Sequence, residues 1–212
     1  MKKRKQRYLQ IVEDNLKNEF KRIGGNHRDS ILNTAARVTP GASVARIFEE
    51  GTKKELVPVL KNINMDQLLK LKNQKDYKVW FEANLKDISR VIKKTNPNKR
   101  SKRSIYPGYK WGHAAKILNL YVREVVENRH YFSEAQVRRI RDWLYVPIDS
   151  KVMRRLRELK MDFDFKKINE IKSRKIFYGV QDLLARAAKR AGVPRVWFDD
   201  IWGNPPPRED EQ

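Results

Sequence analysis

Residues 106–126 read YPGYKWGHAAKILNLYVREVV, and residues 143–160 read WLYVPIDSKVMRRLRELK. In the first stretch a Pro107-Gly108 turn leads into a helix predicted over 112–126. Ala115, Leu118, Val122 and Val125 recur at three- and four-residue spacing along it, with Ile117, Leu120 and Tyr121 beside them. In the second, the apolar run Val146-Pro147-Ile148 is held extended by its proline. It stops at Asp149, where a basic helix begins at Ser150. Helical period on both sides of the breaks, with no strand-like alternation, sets the fold class as all-α.

Outward from there the same period continues. Residues 2–23 are predicted as an amphipathic helix that Gly24-Gly25-Asn26 ends. Asp29 or Ser30 caps a second helix to about residue 38, and a third covers 43–50. Helices follow at about 53–62 and, capped by Asn64 or Asp66, up to about 72. A long helix over 76–94 buries Val79, Trp80 or Phe81, Ala83, Leu85, Ile88, Val91 and Ile92, and Asn96-Pro97-Asn98 stops it. Residues 127–142 form a polar, aromatic-containing spacer. Further helices are expected at about 165–173 and 177–191, the latter closed by Gly192-Val193-Pro194. Nine to eleven helices therefore make one domain over 1–204, in two parts at 1–98 and 99–204. An acidic, disordered tail is expected at 205–212.

The charge is extreme. Forty-eight Lys and Arg face 26 Asp and Glu, a net +22. A compact chain so charged repels itself, and a polyanion relieves that repulsion, so DNA or RNA is the expected partner. No apolar run reaches the roughly 18 residues of a membrane span. No hydrophobic segment follows the charged residues 1–7, so no secretory signal is expected. With zero cysteines and three scattered histidines (His27, His113 and His130), no metal or other cofactor is expected.

Two residues stand out for chemistry. Lys116 leans over the margin of its helix's apolar face, where partial desolvation among other cations would make its amine a nucleophile. Asp149 is placed as a helix cap, which holds one carboxylate oxygen rigidly and leaves the other for a cleft. Pro107 and Gly108, with the amides that follow them, form a turn of the kind that takes up a phosphate. Lys99, Arg100, Lys102 and Arg103 precede that turn. Arg154 and Arg155 follow Asp149, and both runs could track a nucleic-acid backbone.

Tyr106-Pro107-Gly108, the Lys116 helix and Val146-Pro147-Ile148-Asp149-Ser150 together resemble the helix-hairpin-helix DNA glycosylases. The long interval from lysine to aspartate, with Gly192-Val193-Pro194 and then Asp199-Asp200-Ile201-Trp202, is most similar to the archaeal 8-oxoguanine glycosylase branch. The resemblance spans residues 106–202. It implies a multi-helix glycosylase fold with a cleft between two helical subdomains, and a monomer acting on double-stranded DNA that contains a damaged base. It also implies catalysis by Lys116 (or Lys110, which also stands near the family position) with Asp149. Trp197, Phe198, Asp199 and Trp202 would then bind the extruded base. Pro107, Gly108, Lys110 and Gly112 would hold the backbone. The expected setting is cytoplasmic, at the nucleoid. Two alternatives remain: a non-catalytic basic DNA- or RNA-binding protein, and a base-modifying enzyme on the same scaffold.

Overall fold

A computed structural model describes residues 27–40, 48, 51–92, 110–128, 130–158 and 168–203. Among them the chain is all-α. The helices are α1 (His27–Val38), α2 (Thr52–Lys61), α3 (Gln74–Val91), α4 (Lys110–Val126), α5 (Glu134–Arg141), α6 (Ser150–Glu158), α7 (Arg174–Ala191) and α8 (Trp197–Gly203). Two 3-10 turns, Met65–Lys70 and Ile168–Glu170, lie between them. The expected helices over 2–23 and 43–50 and the acidic tail fall outside the described residues, except for Phe48.

Caps set most of the boundaries. The Asn73 side chain accepts the amides of Lys75 and Asp76, so α3 starts two residues before the expected position. Asn64 does cap, but what it caps is a 3-10 turn. Ser173 accepts the Ile176 amide and starts α7 at Arg174, ahead of the expected 177. Of the helix expected over 165–173, residues 168–173 are described and contain only the short 3-10 turn Ile168–Glu170. The α7 terminus is as expected, with Gly192 in the left-handed region at φ 68°.

The spacer at 127–142 contains a full helix, α5. Its signature was present in the sequence, because Ser133 and Gln136 form a reciprocal capping box. The aromatic residues 197–203 also form a helix, α8.

Helix α4 is the axis of the fold. Ala115, Ile117, Leu118, Tyr121, Val122 and Val125 are all fully buried, because α3, α1 and the Ile168–Glu170 turn pack around it. On α3 the buried stripe is Tyr77, Trp80, Phe81, Leu85 and Ile88, and the C-cap residue Ile92 continues it. Val79 lies outside it at 66% exposure, and Ala83 is exposed too. Counting back from Ile88 in turns of 3.6 residues leads to Tyr77 and not to Val79. Tyr77, Phe81, Tyr145 and Phe177 join α3, the run before Asp149 and α7 in an edge-and-tilt aromatic cluster with centroids 5.1–5.5 Å apart between Tyr145 and the others.

Candidate active site

Lys116 projects from the buried helix α4 with only 11% of its side chain exposed. An ammonium in that position requires a partner. It has one in Asp149, whose Oδ2 lies 3.6 Å from Nζ.

The path that delivers Asp149 is fixed by side chains from α7 and the turn after it. Residues 144–148 lie outside any helix and are buried, so their polar backbone groups must be satisfied inside the protein. Gln181 acts there as a substitute strand. Its Oε1 accepts the Val146 amide at 3.0 Å, and its Nε2 donates to the Val146 carbonyl at 2.8 Å. Arg195, buried at 6% exposure, donates to the carbonyls of Trp143, Leu144 and Gln181 at 3.0, 3.1 and 3.3 Å. Its guanidinium lies 4.6 Å over the Tyr145 ring.

At the end of this run the Asp149 carboxylate divides its work. Oδ1 accepts the amides of Lys151 and Val152 at 2.9 and 3.0 Å and so caps α6, while Oδ2 faces Lys116.

Helix α8 packs on α6 and brings further charge. Arg123, two turns beyond Lys116 on α4, forks between Asp199 and Asp200 in two ion pairs. Burial pushes the Asp199 carboxyl above its ordinary range. Arg123 and Lys116 pull it down, and Asp149 and Asp200 push it up. Asp199 therefore lies within the field of both Lys116 and Asp149. Between Lys116 and Arg123 on the same side of α4 sits Asn119, 2% exposed, with neither its amide nitrogen nor its oxygen hydrogen-bonded.

The aromatic residues of α8 divide into two kinds. Phe198 and Trp202 stack on each other at 4.6 Å and 18° and pack against the core. Trp197 is 39% exposed, with the Arg141 guanidinium 6.0 Å from its ring. Of the three, Trp197 is the one with an open face.

The expected phosphate contacts fare unequally. Lys99, Arg100, Lys102, Arg103, Pro107 and Gly108 lie outside the described residues. Lys110 opens α4, and only its backbone is described. Gly112 is buried, and its amide donates to the Ile171 carbonyl at 3.2 Å, so the donor expected to meet a phosphate is already engaged. A β-carbon there would stand 2.5 Å from the Ile168 carbonyl oxygen; the glycine lets α4 touch the turn. Arg154 and Arg155 lie on the outer side of α6 and share Glu158, at 3.8 and 2.6 Å.

Arg123, Asn119, Gln181 and Arg195 were not singled out in the sequence. Helical spacing from Lys116 is the signal for the first two. Gln181 and Arg195 have no local signal, since the carbonyls they satisfy are remote in the chain. Among the described residues no group of three or more His, Asp or Glu side chains converges as a metal site would. Comparison with known protein families, characterised proteins and solved structures finds no match for this chain.

Proposed function

We propose that this chain is a DNA N-glycosylase with AP-lyase activity on a helix-hairpin-helix-type fold. In this reading a cleft between two helical subdomains takes double-stranded DNA with a damaged base, 8-oxoguanine foremost, and the protein works as a monomer at the nucleoid. The observation that carries the reading is the 3.6 Å approach of the Lys116 amine to Asp149, on a buried helix of a chain with net charge +22. No helix among the described residues is long and apolar enough to cross a membrane.

The chemistry follows from the two groups. Extruding the damaged nucleotide costs a few kcal/mol, least where pairing is already weak. Asp149 takes a proton from the Lys116 ammonium, and the free amine attacks C1′. The bond from C1′ to the base breaks as Asp149 passes that proton to the departing base, which restores its carboxylate. Asp149 stabilises the positive charge that develops on the sugar. Opening of the sugar ring gives an imine between Nζ and C1′. Loss of a C2′ proton then expels the 3′ phosphate and nicks the strand. The open ring of Trp197 is suited to stacking on the extruded base, and Asp199, steadied by Arg123, to accepting hydrogen bonds from its edge.

The capping bonds of Asp149 favour a second reading, a non-catalytic nucleic-acid-binding protein, because a cap accounts for the aspartate without chemistry. Borohydride trapping on duplexes containing 8-oxoguanine, uracil or an abasic site separates the two. A covalent adduct lost in Lys116→Gln supports the glycosylase. Salt-sensitive binding without an adduct on any of the three leaves only the binding protein.

A further inference from the structure

Helix α3 and the first turns of α7 enclose a second concave surface. Two adjoining cavities, of about 740 and 640 Å³, share Glu82 and Arg174 in their walls. Lys75, Lys78, Lys86 and Arg90 line the α3 side, and Arg174 and Lys175 the α7 side. The α3 residues fall on one stripe that runs 15 residues, or about 22 Å at 1.5 Å per residue. Trp111 and Tyr178 contribute aromatic surface, and the Lys78 ammonium lies 4.0 Å over the Tyr178 ring.

The charges here are poorly balanced. Of the two acids in the walls, Glu82 and Asp182, Glu82 is engaged by Arg174 at 3.3 Å; Arg90 also pairs with Asp87, which lies outside the walls, at 2.8 Å. Lys75, Lys78, Lys86 and Lys175 are exposed and have no ion-pair partner among the described residues. Holding like charges in one groove is unfavourable unless an anion neutralises them. The groove is also not a continuation of the Lys116 site. Trp111 and Lys116 are five residues apart on α4, which puts them about 140° apart around the helix.

Unpaired cations interleaved with aromatic rings along a shallow groove are the pattern that tracks a single-stranded backbone. We propose that the α3–α7 groove is a second nucleic-acid site that takes a single strand through its phosphates. The inference does not rest on the glycosylase reading, because it involves neither Lys116 nor Asp149.

The test is fluorescence anisotropy of a labelled oligothymidylate, titrated across salt concentrations. For a single strand the slope of log Kobs against log salt is about −0.7 per phosphate contact. Lys75→Glu/Lys78→Glu/Lys175→Glu is expected to reduce its magnitude by about 2. Lys75→Glu/Lys175→Glu, which keeps the Lys78–Tyr178 contact, should reduce it by roughly 1.4. The control Lys53→Glu/Lys54→Glu/Lys61→Glu carries the same net charge change on exposed positions of α2. Equal loss in groove and control variants would mean that net charge alone binds the strand, and an unchanged slope in the groove variants would overturn the site outright. A labelled duplex is titrated alongside, and a loss confined to it overturns the single-strand assignment.

Discussion

Oδ2 of Asp149 lies 3.6 Å from the Lys116 amine, while Oδ1 of the same carboxylate holds the first turn of α6. Structure and charge can therefore be separated by substitution. Asp149→Asn keeps an oxygen for the cap and removes the anion beside a nearly buried ammonium, a loss of about 1–2 kcal/mol. Asp149→Ala also loses the cap, worth about 1 kcal/mol more. Thermal melts are expected to rank wild type above Asn above Ala. Single-turnover borohydride trapping is expected to fall about 100-fold or more in both. Trapping that survives in Asp149→Asn would leave the aspartate as a cap and nothing else.

Two glycines of neighbouring helices should respond to the same substitution with opposite signs. At Gly112 a β-carbon would meet the Ile168 carbonyl oxygen at 2.5 Å and the Ile171 β-carbon at 2.9 Å. Gly112→Ala is expected to lose about 1–3 kcal/mol as α4 and the turn are forced apart. At Gly179, inside α7 and exposed, nothing lies within 4 Å, so Gly179→Ala should gain about 0.5–1 kcal/mol. Urea unfolding midpoints check both.

What the sequence disclosed and what it withheld follow one physical division. The period of α4, the Gly192 terminus and the capping position of Asp149 were legible, because each depends on residues within a turn or two. Val79 and Tyr77 fit two registers at the start of the helix, and only packing against Tyr145 selects Tyr77. Helix α5 buries only Val137 and Ile140 among its charges, so its apolar period is faint, although its Ser133–Gln136 box is legible. Gln181 and Arg195 were out of reach. They hold the run before Asp149 from 35 and 51 residues away, and a side chain meeting a distant carbonyl leaves no periodic trace.

Asn119 carries an unsatisfied buried amide between Lys116 and Arg123. An unpaired buried polar group of this kind costs about 1–3 kcal/mol. Asn119→Leu, close in volume, is expected to raise the melting temperature by about 2–4 °C for each kcal/mol recovered. Differential scanning calorimetry reads the shift. A lower melting temperature would mean that the amide is hydrogen-bonded in solution, by a water held against α4.

Asp199 gives the site a pH dependence whose direction follows from its surroundings. Its folded carboxyl is held above its ordinary range, chiefly by burial, with Arg123 as the first opposing influence. The folded protein therefore binds more protons at this position than the unfolded chain between the ordinary and the raised value. Stability from this group is lost as pH rises through that window. Protonated Asp199 resembles asparagine, so wild type and Asp199→Asn should melt together in acid, and the variant should pull ahead as pH rises before the gap levels off. Arg123→Met removes the opposing charge, pushes the carboxyl higher still, and should carry the window to higher pH. Melting temperatures of the three proteins from pH 3 to 8 decide it. If wild type instead gains on Asp199→Asn as pH rises, the Arg123 ion pair outweighs burial and the carboxyl is a stabilising anion.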